Sequence, residues 1–357
     1  MSHIIRRLLL VLVVLAAGSM VAEAAGKAES TDNNTVDVLD KLANHYYLDF
    51  RPIPKGKIEL PRIFIADGQL HIYSSTTAAI NSGDGFTDEY YLENEPVVSS
   101  GTIKPVTYHV VKADGTYPSF DFSLSSHLVF FLFSGILVGA VAIPLKNRYN
   151  RGIGRDTEPR GVFHNMMETL VVFIRDEVTI ANIGEARYKT FAPYLLTAFF
   201  MILFMNLFGL LPWGVSSTAD VTVTAAMATV TFLTTQVFAN KEHWKHVFWF
   251  PGVPVVIKFI MIPVEFIGLF TKPFALAIRL FANMASGKVL IFSIIGLIFI
   301  FYNLYGAALA YTTSFIWIAF ALFIYVIKVV VAFLQAYIFV MLSALFIGMA
   351  TAEHEDH

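Results

Sequence analysis

The stretch "PFALAIRLFANMASGK", Pro273–Lys288, runs directly into Val289–Ile327, which contains no charged residue. Upstream, Val247–Phe281 is apolar with sparse charges; downstream, Ser314–Thr351 is interrupted only by Lys328 and Gln335. Such stretches are longer than a bilayer requires, because a helix of about 36 residues reaches about 54 Å against a hydrocarbon core of about 30 Å. They must tilt strongly, bend, or lie partly in the membrane plane. The whole chain agrees: of 357 residues 56% are hydrophobic and the formal charge is -2, a composition outside the range of ordinary soluble domains. The near-zero charge also gives nucleic acid no basic surface to meet. With no cysteine, disulfides, thiolate catalysis and cysteine metal sites are excluded by inventory.

The chain opens with Arg6 and Arg7, an apolar run Leu8–Ala17 and small residues Ala22 and Ala24, the layout of a signal peptide cleaved after about Ala24. Residues 25–126 then read as an exported β-rich module. "TVDVLDKLANHYY" is a helical candidate, and "KIELPRIFIADGQLHIYSS" is a hairpin turning at Asp67-Gly68. Asp114-Gly115 offers a second turn. Residues 127–357 form the membrane domain. His127–Leu145 is a first span, followed by a loop holding Lys146, Arg148, Arg151, Arg155 and Arg160, cytoplasmic by the positive-inside rule. "GVFHNMMETLVVFIRDEV" is amphipathic and suits the interface. Spans at Phe191–Leu211 and Val221–Ala239 return the chain to Lys241 and Lys245, and the "AEHEDH" tail should end in the cytoplasm. The expected fold class is therefore an all-α polytopic membrane protein. It has about five transmembrane or strongly tilted helices, an amphipathic interfacial helix and a small β-rich extramembrane module.

Lys258, Glu265, Lys272 and Arg279 are seven residues apart, close to two helical turns, so they form one slowly drifting stripe unless Pro263 and Pro273 break it. Lysines can snorkel to an interface. Arg279 has no such escape: a mid-membrane arginine costs about 2.5 to more than 10 kcal/mol, and its charge is permanent. Its partner is either Glu265, fourteen residues back, or a carboxylate on another chain; periodicity does not separate these.

"PFALAIRLFANM", with "VEFIGLFTKP" before it and "AFLQAYIFVMLSALFIGMA" near the end, resembles the a subunit of F-type ATP synthases. The resemblance extends over roughly Pro159–Ala352 and includes "FIRDEV", "APYLLTAFFMILFMNLFGLLP" and "STADVTVTAAMAT". It implies a stator channel subunit in the bacterial inner membrane, working with a ring of c subunits and a b-type peripheral stalk. Arg279 would face the ring carboxylates between two offset aqueous half-channels, so that proton flow requires rotation. Asn283 and Gln335 would line the arginine's neighbourhood and Glu265 the cytoplasmic exit path. Asn206 and Asp220 match polar positions of the preceding spans, where helix-end hydrogen bonding is an equally good reading.

One departure stands out. Nine residues after the arginine and seven before the glutamine, members of that family commonly carry a Glu and a His. Here they are Lys288 and Lys328. Burial and like-charge repulsion disfavour two ammonium groups side by side, which suits a proton relay or an electrostatic gate. Alternatively both reach polar surface, such as the acids of "DGFTDEYYLENE". The exported module is a second departure from compact members.

Other function classes fit less well. No Gly-Lys pair is followed by Ser or Thr, so there is no phosphate-binding loop, and ATP chemistry must lie on partner subunits. No cofactor or metal site is expected, the "HEDH" end reading as a solvated tail. An ion-coupled secondary transporter would also keep charges mid-membrane but should show an internal repeat.

Overall fold

A computed structural model of the protein describes residues 46–49, 57–88, 110–112, 116–150, 161–211, 214–248 and 255–352. The signal segment 1–24, the helical candidate as far as residue 45, the Asp114-Gly115 turn and the "HEDH" tail lie outside them. Tyr47, the last residue of that candidate, begins a strand.

The extramembrane part is built from short antiparallel pairs. β1 (Tyr47–Asp49) pairs with β2 (Lys57–Glu59), and β3 (Arg62–Ala66) lies between β4 (Gln69–Tyr73) and β7 (Phe120–Asp121). β5 (Phe86–Asp88) pairs with β6 (Val110–Lys112), and α1 (Thr76–Asn81) precedes them. The β3–β4 hairpin closes on Asp67 and Gly68 at φ 53° and 73°, the left-handed pair that a two-residue turn demands. Phe64, Ala66, Ala79, Phe86 and Val110 form its small core. Arg62, with no solvent exposure, places its guanidinium 3.6 Å from the centre of the Tyr46 ring.

Among the described residues, four helices are long and apolar enough to cross a membrane: α2 (Ser126–Asn150), α4 (Tyr188–Leu210), α7 (Val255–Tyr305) and α8 (Ala307–Thr351). A shorter apolar helix, α5 (Val221–Val237), joins them. α2 continues past Leu145 and carries Lys146 and Arg148 in its last turns, where a helix end favours cations. α3 (Val162–Phe173) is the amphipathic element and runs on into a π-helical stretch, Ile174–Ile180, and a last turn at Ala181–Ile183. Widening the helix there turns Ile174, Val178 and Thr179 together into the core. α6 (Lys241–Phe248) is a short charged helix.

The three overlapping apolar stretches are two helices. α7 spans 51 residues and runs through both Pro263 and Pro273 without a break. α8 spans 45, and the two meet at Gly306, whose φ of 80° and N–H···O bond of 3.0 Å to Tyr302 end α7. At 1.5 Å per residue they have contour lengths of about 76 and 68 Å, far beyond a hydrocarbon core of about 30 Å, so neither can keep its whole apolar length in the bilayer by running straight along the membrane normal.

One buried cluster gathers Leu195, Phe199, Ile202 and Met205 of α4, Leu276 and Leu280 of α7, and Ala336, Phe339, Ala344 and Ile347 of α8, which packs on both of the other helices. Small residues line the buried side of α8, which lets neighbouring backbones approach closely. The far end of α8 is clamped. Its terminal carbonyls accept from the Asn240 backbone N–H (Ala350, 2.9 Å), from Asn240 Nδ2 (Thr351, 2.8 Å; Ala352, 3.1 Å) and from Arg187 (Thr351). Asn240→Ala removes the side-chain donor but leaves the Arg187 and backbone N–H donors in place, so it is expected to lower the stability of the detergent-solubilised chain by about 0.5–1.5 kcal/mol, read as a small drop in melting temperature.

Candidate functional site

α7 and α8 are antiparallel, and one contact fixes their register: Lys328 Nζ donates to the Asn283 carbonyl (3.1 Å) and to its Oδ1 (3.2 Å). Arg279 is four residues from that contact along α7, and Gln335 seven residues from it along α8 in the same direction. These offsets are about 6 and 10 Å, so Arg279 and Gln335 lie within about one turn of the same level. Arg279 is exposed. Around it Phe274 (67%) and Ile278 (39%) are exposed as well, so the guanidinium stands on an apolar face. Among the described residues it has no hydrogen-bond or ion-pair partner. Glu265 cannot serve as one, because fourteen residues of uninterrupted helix separate the two by about 21 Å of rise.

The lysine pair converges. Lys288 and Lys328 both line one cavity of about 40 Å³, together with Gly209, Gly214, Gly287 and Tyr325. Lys288 Nζ donates to the Gly214 carbonyl at 3.4 Å. Gly287 leaves room for the lysine: a Cβ there would sit 2.6 Å from Lys328 Cε and 2.7 Å from its Nζ, so a larger residue would displace the end of that side chain. Such a volume holds ordered water where polar partners surround it.

Asn206 is fully buried and cross-links three elements. Its Oδ1 accepts from Thr218 Oγ1 (2.8 Å) and its Nδ2 donates to the Ala332 carbonyl (3.1 Å). Asp220 caps α5 by accepting from the Thr222 N–H at 2.7 Å and lies 3.6 Å from buried His127. Tyr325 donates to the Leu210 carbonyl at 2.9 Å, completing the polar seams around the lysine cavity.

A second cavity, about 30 Å³, lies toward the opposite end of α4 and α5. Thr231, Thr235, Gln236 and His243 line it with Lys272. Lys272 Nζ is also 5.7 Å from the centre of the Phe346 ring. Glu265 lines neither cavity and is half-buried on α7. Asn283 Nδ2 near the first cavity and Gln236 Oε1 at the second are buried without a hydrogen-bond partner, a state that purely apolar packing does not leave. Reading the residues alone did not single out Thr231, Thr235, Gln236 or His243. α5 carries six threonines, so nothing in the spacing of Thr231 and Thr235 set these two apart from the others.

On α7, then, Arg279 stands between a cavity bounded by Met284–Phe292 and another bounded by Leu269–Leu276. The family model described as ATP synthase A chain matches residues 128–348, the part of the chain that holds Arg279, Asn206 and the groups lining both cavities from Gly209 to Phe346. The chain belongs to the ATP synthase A chain family. It is similar to "ATP synthase subunit a" of Chloroherpeton thalassium, 46% identical over 241 residues that cover 67% of this chain and 69% of the relative. The Myxococcus xanthus protein of the same name is 42% identical over 245 residues, covering 66% and 77% respectively. That of Anaeromyxobacter dehalogenans (strain 2CP-C) is 39% identical over 286 residues, covering 76% and 70%. As a member of the ATP synthase A chain family the protein is a multi-pass membrane protein and part of an ATP synthase complex.

Proposed function

We propose that the chain is the stator half of a rotary proton channel, in which Arg279 faces a ring of c subunits and the two cavities belong to half-channels opening on opposite sides. The observation that carries this reading is the placement of Arg279: exposed, on an apolar face, with no partner among the described residues. Lipid is an unacceptable neighbour for a permanent charge, so the face must meet protein, and the compensating group is a carboxylate that arrives with it. Each ring carboxylate is held ionised while it passes the guanidinium. It loses its proton into one half-channel and takes another from the other, so net transfer requires the ring to turn.

In this proposal Lys288, Lys328, Asn283 and Tyr325 belong to the outer path, with Asn206 and Asp220 fixing the helices that wall it. Lys272, Gln236 and the α5 threonines belong to the inner path, with Glu265 farther along its exit. Gln335 orders the arginine's surroundings. Residues 1–24 are a cleaved signal, 25–126 an exported module on the periplasmic side and 127–357 the membrane domain, with the C-terminus in the cytoplasm of a bacterial inner membrane. A c ring and a b-type stalk are the partners. ATP is made elsewhere in the complex.

Two measurements test the proposal. Purified under mild detergent, the chain should travel with a small helical protein bearing one membrane-embedded carboxylate; solitary purification from a functional membrane overturns the reading. In reconstituted membrane sectors, Lys288→Gln and Lys328→Gln should each lower passive proton conduction several-fold. Unchanged conduction in both variants removes the lysines from the path while leaving the arginine's role standing.

A further inference from the structure

The three-stranded sheet β4-β3-β7 packs one face on the module's small core and, among the described residues, leaves the other, apolar face exposed. The register pairs Phe64 with His71 and Arg62 with Tyr73, placing them on the inner side against Phe86, Ala79 and Val110. By the alternation of strands, Ile63 with Ile72 and Ile65 with Leu70 and Phe120 occupy the other side, and Phe122 follows beside Ile63. There Leu70, Ile72, Phe120 and Phe122 are 60–64% exposed, and the Phe120 and Phe122 rings stack at 6.3 Å. A sheet with one solvated face alternates apolar with polar residues; this one carries no polar side chain on its six outer positions. Contiguous apolar surface of this kind marks an interaction site.

Continuity with the bilayer says what covers it. The chain stays attached to β3 until two residues before the first membrane helix: Ser123 Oγ accepts from the Ile63 N–H at 3.0 Å, and the Leu124 N–H donates to the Pro61 carbonyl at 3.2 Å. α2 then begins at Ser126. Its entry is pinned by Ser217 Oγ, which donates to the His127 carbonyl at 2.8 Å. No linker lifts the sheet away from the membrane surface. Leu128, Leu132, Phe133 and Ile136 of α2 are exposed apolar residues as well, as the lipid-facing side of a membrane helix requires. We propose that the outer face of this sheet rests on the lipid bilayer and seats the exported module at the membrane–water boundary, with Phe120, Phe122, Leu70 and Ile72 dipped among the headgroups.

The chain contains no cysteine, so single-cysteine reporters need no background removal. Complexes carrying Ile72→Cys, Phe120→Cys or, on the opposite side, Asn81→Cys are labelled with an environment-sensitive fluorophore. They are reconstituted into phosphatidylcholine–phosphatidylglycerol vesicles with or without brominated acyl chains. Labels at 72 and 120 should be quenched by brominated lipid and several-fold less sensitive than the label at 81 to iodide present on both sides. Iodide quenching equal to that at 81 overturns the proposal. Protection from both quenchers also overturns it, by assigning the face to protein: a second copy, another subunit or another segment of this chain. Should either substitution prevent assembly, Leu70→Cys probes the same surface.

Discussion

Arg279→Ala is expected to abolish ATP synthesis driven by a membrane gradient while leaving the complex assembled. The side chain is exposed and touches no described partner, so its removal disturbs little packing. In the proposed mechanism, what is lost is the fixed positive charge opposite each ring carboxylate. Without it a passing carboxyl group keeps its proton, the membrane sector has no reason to exchange protons at this point, and flow no longer obliges the ring to turn. The driving field, about 2.3 kcal/mol per elementary charge per 100 mV, is then not transmitted to rotation. Arg279→Lys separates charge from permanence. Lysine restores a cation but not the planar fork, and it can release its proton in a desolvated slot, so synthesis should remain far below that of the wild type. Both variants are checked by synthesis in vesicles under an imposed gradient, with the composition of the complex verified on the same preparation. A fully assembled Arg279→Ala complex that makes ATP at the normal rate overturns the proposed mechanism.

Particular residues show what the chain's chemistry made readable. Asp67-Gly68 announces its hairpin because a two-residue turn needs left-handed backbone at both positions, and few residue pairs adopt it. The scale of the apolar stretches marks the membrane part for a similar reason: no soluble core has use for so much apolar length. The division of that length was not readable, because α7 and α8 share one uninterrupted apolar pattern and Gly306 is a single glycine within it. Pro263 and Pro273 do not end the helix, which continues through both. That continuity matters for the site, since it holds Glu265 about 21 Å along the helix from Arg279 and closes the in-chain pairing that periodicity had left open. Lys288 and Lys328 attracted notice through a departure from family pattern, and the structure brings both to one cavity. The cavity at Lys272 had no such signpost. Its polar groups come from three consecutive helices, α5, α6 and α7, and only their packing turns these side chains toward one cavity.

Gly348→Val is expected to have the next largest effect, and it tests packing rather than charge. A Cβ at Gly348 would collide with the backbone carbonyl oxygen of Asn182. Neither side is free to yield. Asn182 is tied into the end of the π-helical segment by its Nδ2, which donates to the Val178 carbonyl at 2.7 Å. α8 is tied a turn farther on by the Asn240 and Arg187 clamp. Overpacking commonly costs about 1–3 kcal/mol, and backbone held on both sides places the valine at or above the top of that range. The complex should accumulate poorly and melt well below the wild type. Gly296→Ala is the matched control: a helical glycine of α7 where a Cβ meets nothing within 4 Å, so replacing it leaves stability unchanged or raises it by up to about 1 kcal/mol. The same collision bears on function, because Gln335 rides on α8 thirteen residues from Gly348, and any shift that relieves the clash moves Gln335 relative to Arg279. Complexes of Gly348→Ala that survive purification should therefore lose proton-coupled synthesis out of proportion to their loss of stability. Wild-type melting and synthesis in both Gly348 variants would mean that this close helix crossing does not set the position of α8.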